Sequence, residues 1–331
     1  MKALLYLLPL LCLPLAGCSS GERLPFVWEF TTGYPMVTTP AVEGRYAVFG
    51  SDKLYCVDAH TGGFVWSFDT FTTLTSHPII AGNRVYFQCG GCYCLDLATG
   101  RVLWEFWTDQ WGDKKPAVSE AMIVCVHGDT MYCLESGTGK TISKIPAGEM
   151  LKPPLLFGGM IVVSDQEEIR CIDAASGSIR WRLAMPGQNP WFNIAGDAER
   201  VYVPVPGGIQ AYDLMSGAAA WLFPLADADQ IKLCDVGKDF VYVVFGSVYC
   251  LEKKTGSIVW QYAPPHPLFA PFVSGDFLYA RSMQGKLCCI DLIKRKQIWE
   301  TKGLRSGTVH DGYLYRGSNT AKAYCMKLPS Q

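Results

Sequence analysis

The sequence predicts an all-β fold, an eight-bladed β-propeller of four-stranded antiparallel blades in one domain. Three observations predict it. One short pattern returns seven times at intervals of 38 to 40 residues. The stretches between its copies alternate β-branched and aromatic residues between Gly, Asn, Asp and Pro turn signals, with no helical period. The two ends of the chain carry complementary parts of one unit. Periods near 40 belong to solenoids and propellers, and units that read as four short strands favour the propeller.

The chain begins with Met1-Lys2 and an apolar run from Ala3 to Ala16, ALLYLLPLLCLPLA. That run is shorter than the roughly 20 residues of a membrane span and reads as a secretory signal over residues 1–17. Leu15-Ala16-Gly17-Cys18 resembles the lipobox of bacterial lipoproteins, where small residues fit the signal peptidase and the next Cys takes a diacylglycerol. Cys18 is the lipidation site this implies. In such lipoproteins an Asp after the lipidated Cys retains the protein at the inner membrane. Ser19 and Ser20 stand here, so the resemblance implies the periplasmic face of the bacterial outer membrane, reached through the lipid anchor only. Residues 18–24 are a short lipidated tether, 25–328 the propeller and 329–331 a tail.

Aligned on its acidic residue, the repeat reads LYCVDAHTGGFVW (54–66), CYCLDLATGRVLW (92–104), MYCLESGTGKTIS (131–143), RCIDAASGSIRW (170–181), QAYDLMSGAAAW (210–221), VYCLEKKTGSIVW (248–260) and LCCIDLIKRKQIW (287–299). The acidic position falls at Asp58, Asp96, Glu135, Asp173, Asp213, Glu252 and Asp291. Before the copies come strand-like runs such as Arg45-Tyr46-Ala47-Val48-Phe49 and Phe240-Val241-Tyr242-Val243-Val244. The last unit, Ser306 to Leu328, has three strands and no Trp strand. Pro25-Phe26-Val27-Trp28-Glu29-Phe30 is a Trp strand with nothing before it. Joining the two completes an eighth blade and removes the open sheet edges that invite aggregation.

Cys56, Asp58 and His60 crowd into the first copy like a catalytic cluster, but the sister copies reassign them. Gly62, Gly100, Gly139, Gly177, Gly217 and Gly256 can take the positive φ of a tight turn. The Thr or Ser before each Gly, and the Asp or Glu three residues earlier, can hydrogen-bond turn backbone groups. The Trp slot, filled by Trp28, Trp66, Trp104, Trp181, Trp221, Trp260 and Trp299, offers a flat face for packing between blades. His60 occupies a slot filled elsewhere by Ala98, Gly137, Ala175, Met215 and Lys254, which a catalytic base or metal ligand would not tolerate. No catalytic, cofactor-binding or metal-binding residue is expected from the repeat. A net charge of -1 without basic or acidic blocks gives no electrostatic footprint for a nucleic-acid partner.

The Tyr-(Ala/Cys)-x-Asp-x-x-Thr-Gly-x-x-x-Trp pattern closely resembles the tryptophan-docking motif of PQQ-like β-propeller repeats, over residues 26 to 328. Two kinds of protein share it. Quinoprotein dehydrogenases hold pyrroloquinoline quinone and calcium, and BamB-type lipoproteins are non-catalytic scaffolds that fold β-barrel proteins into the outer membrane. Fold alone does not separate them. The connections between blades here are short, whereas quinoprotein enzymes of this architecture carry insertions that wall the cofactor. A calcium site would want several converging oxygens, and one carboxylate per blade is already used by the turn. The resemblance therefore implies a scaffold without cofactor, binding protein partners of the barrel-insertion machinery. A quinoprotein-type dehydrogenase with PQQ and calcium is the alternative, as is a propeller lipoprotein with another peptide or glycan ligand.

Cys56, Cys94, Cys133, Cys171, Cys250, Cys289 and Cys325 share one third-strand slot and read as small buried hydrophobes, too far apart on successive blades to pair. Cys89-Gly90-Gly91-Cys92 reads as a hairpin turn of blade two, so a local Cys89–Cys92 bridge is expected there, not a redox motif at a helix start. Cys288 and Cys289 are adjacent in a strand and point to opposite faces.

Three Trp residues fall outside the repeat slot: Trp107, Trp111 and Trp191. They lie in connections from the fourth strand of one blade to the first of the next, FWTDQWGDKKP and AMPGQNPWFN, with Phe192 beside Trp191 and Phe269 in PHPLFAP (265–271). Those connections share one rim with the second-to-third-strand turns, and aromatic loops on one face point to a protein-binding surface. BamB-type proteins contact the barrel-insertion protein through loops after the third and fourth Trp motifs, with a Leu-x-Leu-Arg patch in one and two Asp in the other. Here the first of these loops carries a loose echo at Met150, Leu151 and Lys152. The second, Ala184 to Asn193, has no Asp.

Overall fold

The computed structural model describes residues 24–329 apart from 36, 71, 75, 113, 149–152, 166, 186–193, 226–231 and 303–306. Its strands form eight four-stranded sheets. Blade one is Ala41–Glu43, Tyr46–Gly50, Lys53–Asp58 and Phe64–Asp69; blade two is Ile79–Ala81, Arg84–Cys89, Gly91–Asp96 and Val102–Phe106. Blade three is Ala117–Val118, Met122–His127, Thr130–Glu135 and Thr141–Pro146; blade four is Leu155–Phe157, Met160–Ser164, Glu168–Asp173 and Ile179–Ala184. Blade five is Ala195–Gly196, Arg200–Val205, Gly208–Asp213 and Ala219–Pro224; blade six is Lys232–Val236, Phe240–Phe245, Ser247–Glu252 and Ile258–Tyr262. Blade seven is Leu268–Ser274, Phe277–Ser282, Lys286–Asp291 and Lys296–Lys302. Blade eight takes Thr308–His310, Tyr313–Gly317 and Lys322–Lys327 from the end of the chain and Phe26–Thr31 from its beginning. Trp28 pairs with Cys325 across that junction, so the ring closes as the two partial units require. No helix among the described residues is long and apolar enough to cross a membrane.

Burial follows strand order. First strands of neighbouring blades touch one another, as Ala41–Glu43 touches Ile79–Ala81 and Thr308–His310, which places them around the central channel. Second and third strands are nearly continuous apolar runs because both faces pack against other blades; Phe49, Phe87 and Tyr202 have no exposed surface. Eight apolar clusters result, each shared by two adjacent blades. The cluster of Trp28, Tyr315 and Ala323 with Ala47, Phe49 and Val57 joins blade eight to blade one.

The repeat supplies the lock between blades. Asp58 Oδ1 accepts hydrogen bonds from the Thr61 hydroxyl and N–H, each at 3.0 Å; Asp213 does the same with Ser216 at 2.7 and 2.8 Å. That turn places Gly62 at φ 72° and Gly256 at φ 73°, where an L side chain is strained. The indole of the preceding blade then lies on the glycine: Trp28 on Gly62, Trp66 on Gly100, Trp104 on Gly139, Trp181 on Gly217 and Trp221 on Gly256. Each of these indoles donates its N–H to a backbone carbonyl of the next blade, those of Ala59, Leu97, Ser136, Leu214 and Lys253, at 2.8–2.9 Å. Blade three has Ser143 in the slot, and its hydroxyl donates to the Ala174 carbonyl instead. Blade seven lacks the Thr-Gly turn, and Arg295 takes the positive φ of 57° there.

Candidate functional site: the loop rim and the central channel

Between blades two and three the fourth-to-first-strand connection folds down onto the second-to-third-strand turns. Gly90 and Gly112 exchange backbone hydrogen bonds at 2.9 and 3.0 Å, and the Gly128 N–H donates to the Trp111 carbonyl at 3.0 Å. The Trp107 ring lies on Gly91 and meets Tyr93 edge to face with centroids 5.5 Å apart; the Trp111 ring lies on Gly90. A Cβ on either glycine would come within 3 Å of those rings. Beneath them His127 is fully buried, its Nδ1 3.0 Å from the Thr108 hydroxyl, and burial pushes its pKa down, which keeps the ring neutral at pH 7. The Gln88 side-chain amide donates to the Val126 carbonyl at 3.1 Å. Trp107 and Trp111 nevertheless stay 42% and 53% exposed. They are held from below and open above, so they both cover the blade edge and present an aromatic surface.

The other rim residues differ. Phe269 is half-buried with the Arg281 guanidinium 4.8 Å from its ring centroid, so one face is already taken by a cation–π contact. Cys18, Met150, Leu151, Lys152, Trp191 and Phe192 lie outside the described residues.

The cysteine expectation needs correction: Cys92 pairs with Cys125 of blade three, with Cα atoms 6.7 Å apart, and Cys89 is free. The strand pleat is the reason. The hairpin register sets Cys89 opposite Gly91 and Cys92 opposite Gln88, so the two cysteines face opposite sides of the sheet. Cys89 enters the cluster shared with blade one and Cys92 the one shared with blade three. Cys288 and Cys289 are divided in the same way and are both free. Burial pushes the thiols of Cys56, Cys250 and Cys289 up to about 12, which keeps them protonated and unreactive.

On the channel side the first strands of blades two, three and four, with Ile194 ahead of blade five, wall a cavity of about 420 Å³. Ile79, Val118, Leu155, Phe157 and Ile194 make it apolar, and Lys115 and Ser164 are its polar groups. Lys115 reaches solvent, yet the surrounding wall strips enough water to push its pKa down. His77 is likewise depressed, first by burial and then by the charge of Lys115. Among the described residues no three His, Cys, Asp or Glu side chains converge as metal ligands, and no carboxylate lines the cavity. That wall does not fit a quinone held by calcium, which wants carboxylate and amide oxygens around the cation. Composition gave no hint of Lys115 and His77. A recurring X-Pro step, Thr39-Pro40, His77-Pro78, Lys115-Pro116 and Pro153-Pro154 at intervals of 38 residues, is the sequence signal that marks them.

Comparison with known proteins agrees with this architecture. The family model described as outer membrane protein assembly factor BamB matches residues 26–105, 90–229 and 205–320. The outer membrane protein assembly factor BamB of Shewanella oneidensis is 23% identical over 153 residues, covering 40% of this chain and 38% of that protein. Tetrathionate hydrolase of Acidithiobacillus ferrooxidans is 24% identical over 155 residues, 46% of this chain and 29% of that protein. The chain thus spans well under half the length of either curated relative. Among solved structures, BamB from Moraxella catarrhalis superposes with a TM-score of 0.65 at 16% identity, over 94% of this chain and 99% of that one. The computationally designed Ika8 protein superposes with a TM-score of 0.71 at 14% identity, over 93% and 100%. With a family model matched along most of the propeller and the ring closed as the repeat requires, the chain belongs to the family of outer membrane protein assembly factor BamB.

Proposed function

We propose that the chain is a non-catalytic scaffold lipoprotein, anchored through Cys18 to the periplasmic face of the outer membrane, that presents its loop rim to proteins assembling outer-membrane β-barrels. The observation that carries this reading is the stapled rim at Trp107 and Trp111 in a chain of this family. Two half-exposed indoles fixed on glycines are preordered, so a partner that covers them loses little side-chain entropy. The lipobox and family membership support the location and the partner class. Affinity capture of the full-length chain from detergent-solubilised envelopes tests it: the barrel-insertion protein is recovered, and a Trp107→Ala, Trp111→Ala double variant recovers at least tenfold less while keeping its thermal midpoint within a few degrees. Capture that recovers no barrel-insertion protein, or that the double variant leaves unchanged, overturns the partner assignment.

The similarity to tetrathionate hydrolase supports a second reading, an enzyme that works in the central channel. Incubation with pyrroloquinoline quinone and calcium, followed by alcohol-dependent dye reduction, and a parallel assay of tetrathionate hydrolysis test it. Saturable turnover in either assay would replace the scaffold reading.

A further inference from the structure

The eight interblade clusters hold the ring together, and the channel cavity lies along their inner margin: Ala117, Val118, Leu155, Leu156, Phe157, Val162 and Ile194 of its lining belong to or pack against them, whereas Ile79 and Lys115 do not. Its volume of about 420 Å³ lies in the range of small-molecule sites, which combine apolar walls with few polar groups. The one charged side chain in its lining is a cation. Lys115 lines the cavity, and His77 stands near enough to feel its charge. Lys115 forms no ion pair among the described residues, whereas Lys53 pairs with Asp69, Lys253 with Asp197 and Lys286 with Glu300. A cation in a wall that is otherwise apolar, with no carboxylate among its described lining residues, is complementary to an anion that brings its own apolar body.

We propose that the channel wall of blades two to five binds the monoanion of an alkyl carboxylate, its head at Lys115 and its chain along Ile79, Val118, Leu155 and Phe157. The head follows from the charge: one ammonium faces one negative charge, and the neighbouring His77, held toward its neutral form by burial and the charge of Lys115, adds no second cation. A dianionic phosphate ester would place an uncompensated charge against that wall. The chain follows from Ile79, Val118, Leu155 and Phe157, which lie on three successive inner strands and form a continuous apolar surface ahead of Ile194. This inference does not rest on the scaffold reading; a scaffold or an enzyme could carry the same site.

Calorimetric titration of the full-length chain with decanoate, decanol, decyl phosphate and acetate at pH 7 tests it. Decanoate saturates at one per chain, decanol and decyl phosphate bind at least tenfold more weakly, and acetate shows no saturable heat. Lys115→Met, which keeps the apolar stem, lowers decanoate affinity to that of decanol. Val118→Trp, which fills the cavity, abolishes the binding of both, with near-ultraviolet circular dichroism confirming the fold of each variant. Equal affinity for decanoate and decanol in the unsubstituted chain needs no variant to overturn the proposal. Tighter binding of decyl phosphate, an unaffected Lys115→Met protein, or no saturable binding overturns it as well.

Discussion

At the scale of single residues, the repeat spends its chemistry on turns. Glycine is required twice at the same position, once for φ and once because the next-door indole occupies the space a Cβ would take. Gly256 has φ 73° with Trp221 atoms 2.5 Å from a built Cβ, whereas Gly44 has φ 55° and nothing within 4 Å. Gly44→Ala is expected to lose about 1–2 kcal/mol, the cost of a left-handed L residue. Gly256→Ala is expected to lose more, since the indole must also move; urea unfolding of the two variants side by side measures the difference. The acidic residue of the turn is a second case. Hydrogen bonds from the Ser216 hydroxyl and N–H hold the Asp213 carboxyl below its ordinary range. Its stabilising contribution is therefore complete above the unfolded value of about 3.9 and disappears as pH falls through the lower folded value. Asp213→Asn should flatten the loss of thermal midpoint below about pH 4 while lowering the midpoint at neutral pH. The residue types of these turns were legible in the sequence because every copy repeats them. The indole N–H bond to the next blade was not, since donor and acceptor lie 31 to 33 residues apart and meet only when two blades pack.

At the scale of the blade, the sequence marks four strands and the turn between the third and fourth with a fixed register. Pleat alternation then decides what each side chain faces, and it sends Cys92 toward blade three. The resulting Cys92–Cys125 bridge closes 33 residues, a loop length for which chain-entropy reasoning gives roughly 3–4 kcal/mol. Cys125→Ala is expected to lose about that much, and alkylation under denaturing conditions followed by mass spectrometry should find both Cys92 and Cys125 protected in the unsubstituted chain. Labelling of Cys92 or Cys125 in that experiment would contradict the bridge. The expectation of a Cys89–Cys92 pair followed from spacing alone, and spacing says nothing about which face of a sheet a thiol occupies. The rim is similar: sequence placed Trp107 and Trp111 in one connection, and packing decided that each lies on a glycine of the turn below.

At the scale of the whole molecule, stability comes from closure. Each blade buries its middle strands only because neighbours cover both faces, so a ring opened at one seam would expose both halves of the cluster that seam shares. Removing residues 1–31 takes Phe26–Thr31 from blade eight and leaves Lys322–Lys327 unpaired along its outer edge. Such an edge recruits other chains, so size-exclusion chromatography should show the truncated protein as oligomer or aggregate where the intact chain elutes as a single lower-mass species. A milder form, Trp28→Ala, keeps the strand and removes its indole, for an expected loss of about 3–5 kcal/mol by urea unfolding.

The sequence by itself determined the period, the number of blades, the closure of the ring by its two ends and the turn chemistry of the repeat. These are local or periodic properties, written into each unit by residue type and spacing. Only the tertiary structure decided which indole lies on which glycine, which cysteine Cys92 meets, and that Ile79 and Phe157, 78 residues apart, line one cavity with Lys115. Those contacts depend on the angle between successive blades and the width of the channel they enclose, which no single repeat specifies and which the ring fixes when all eight pack together.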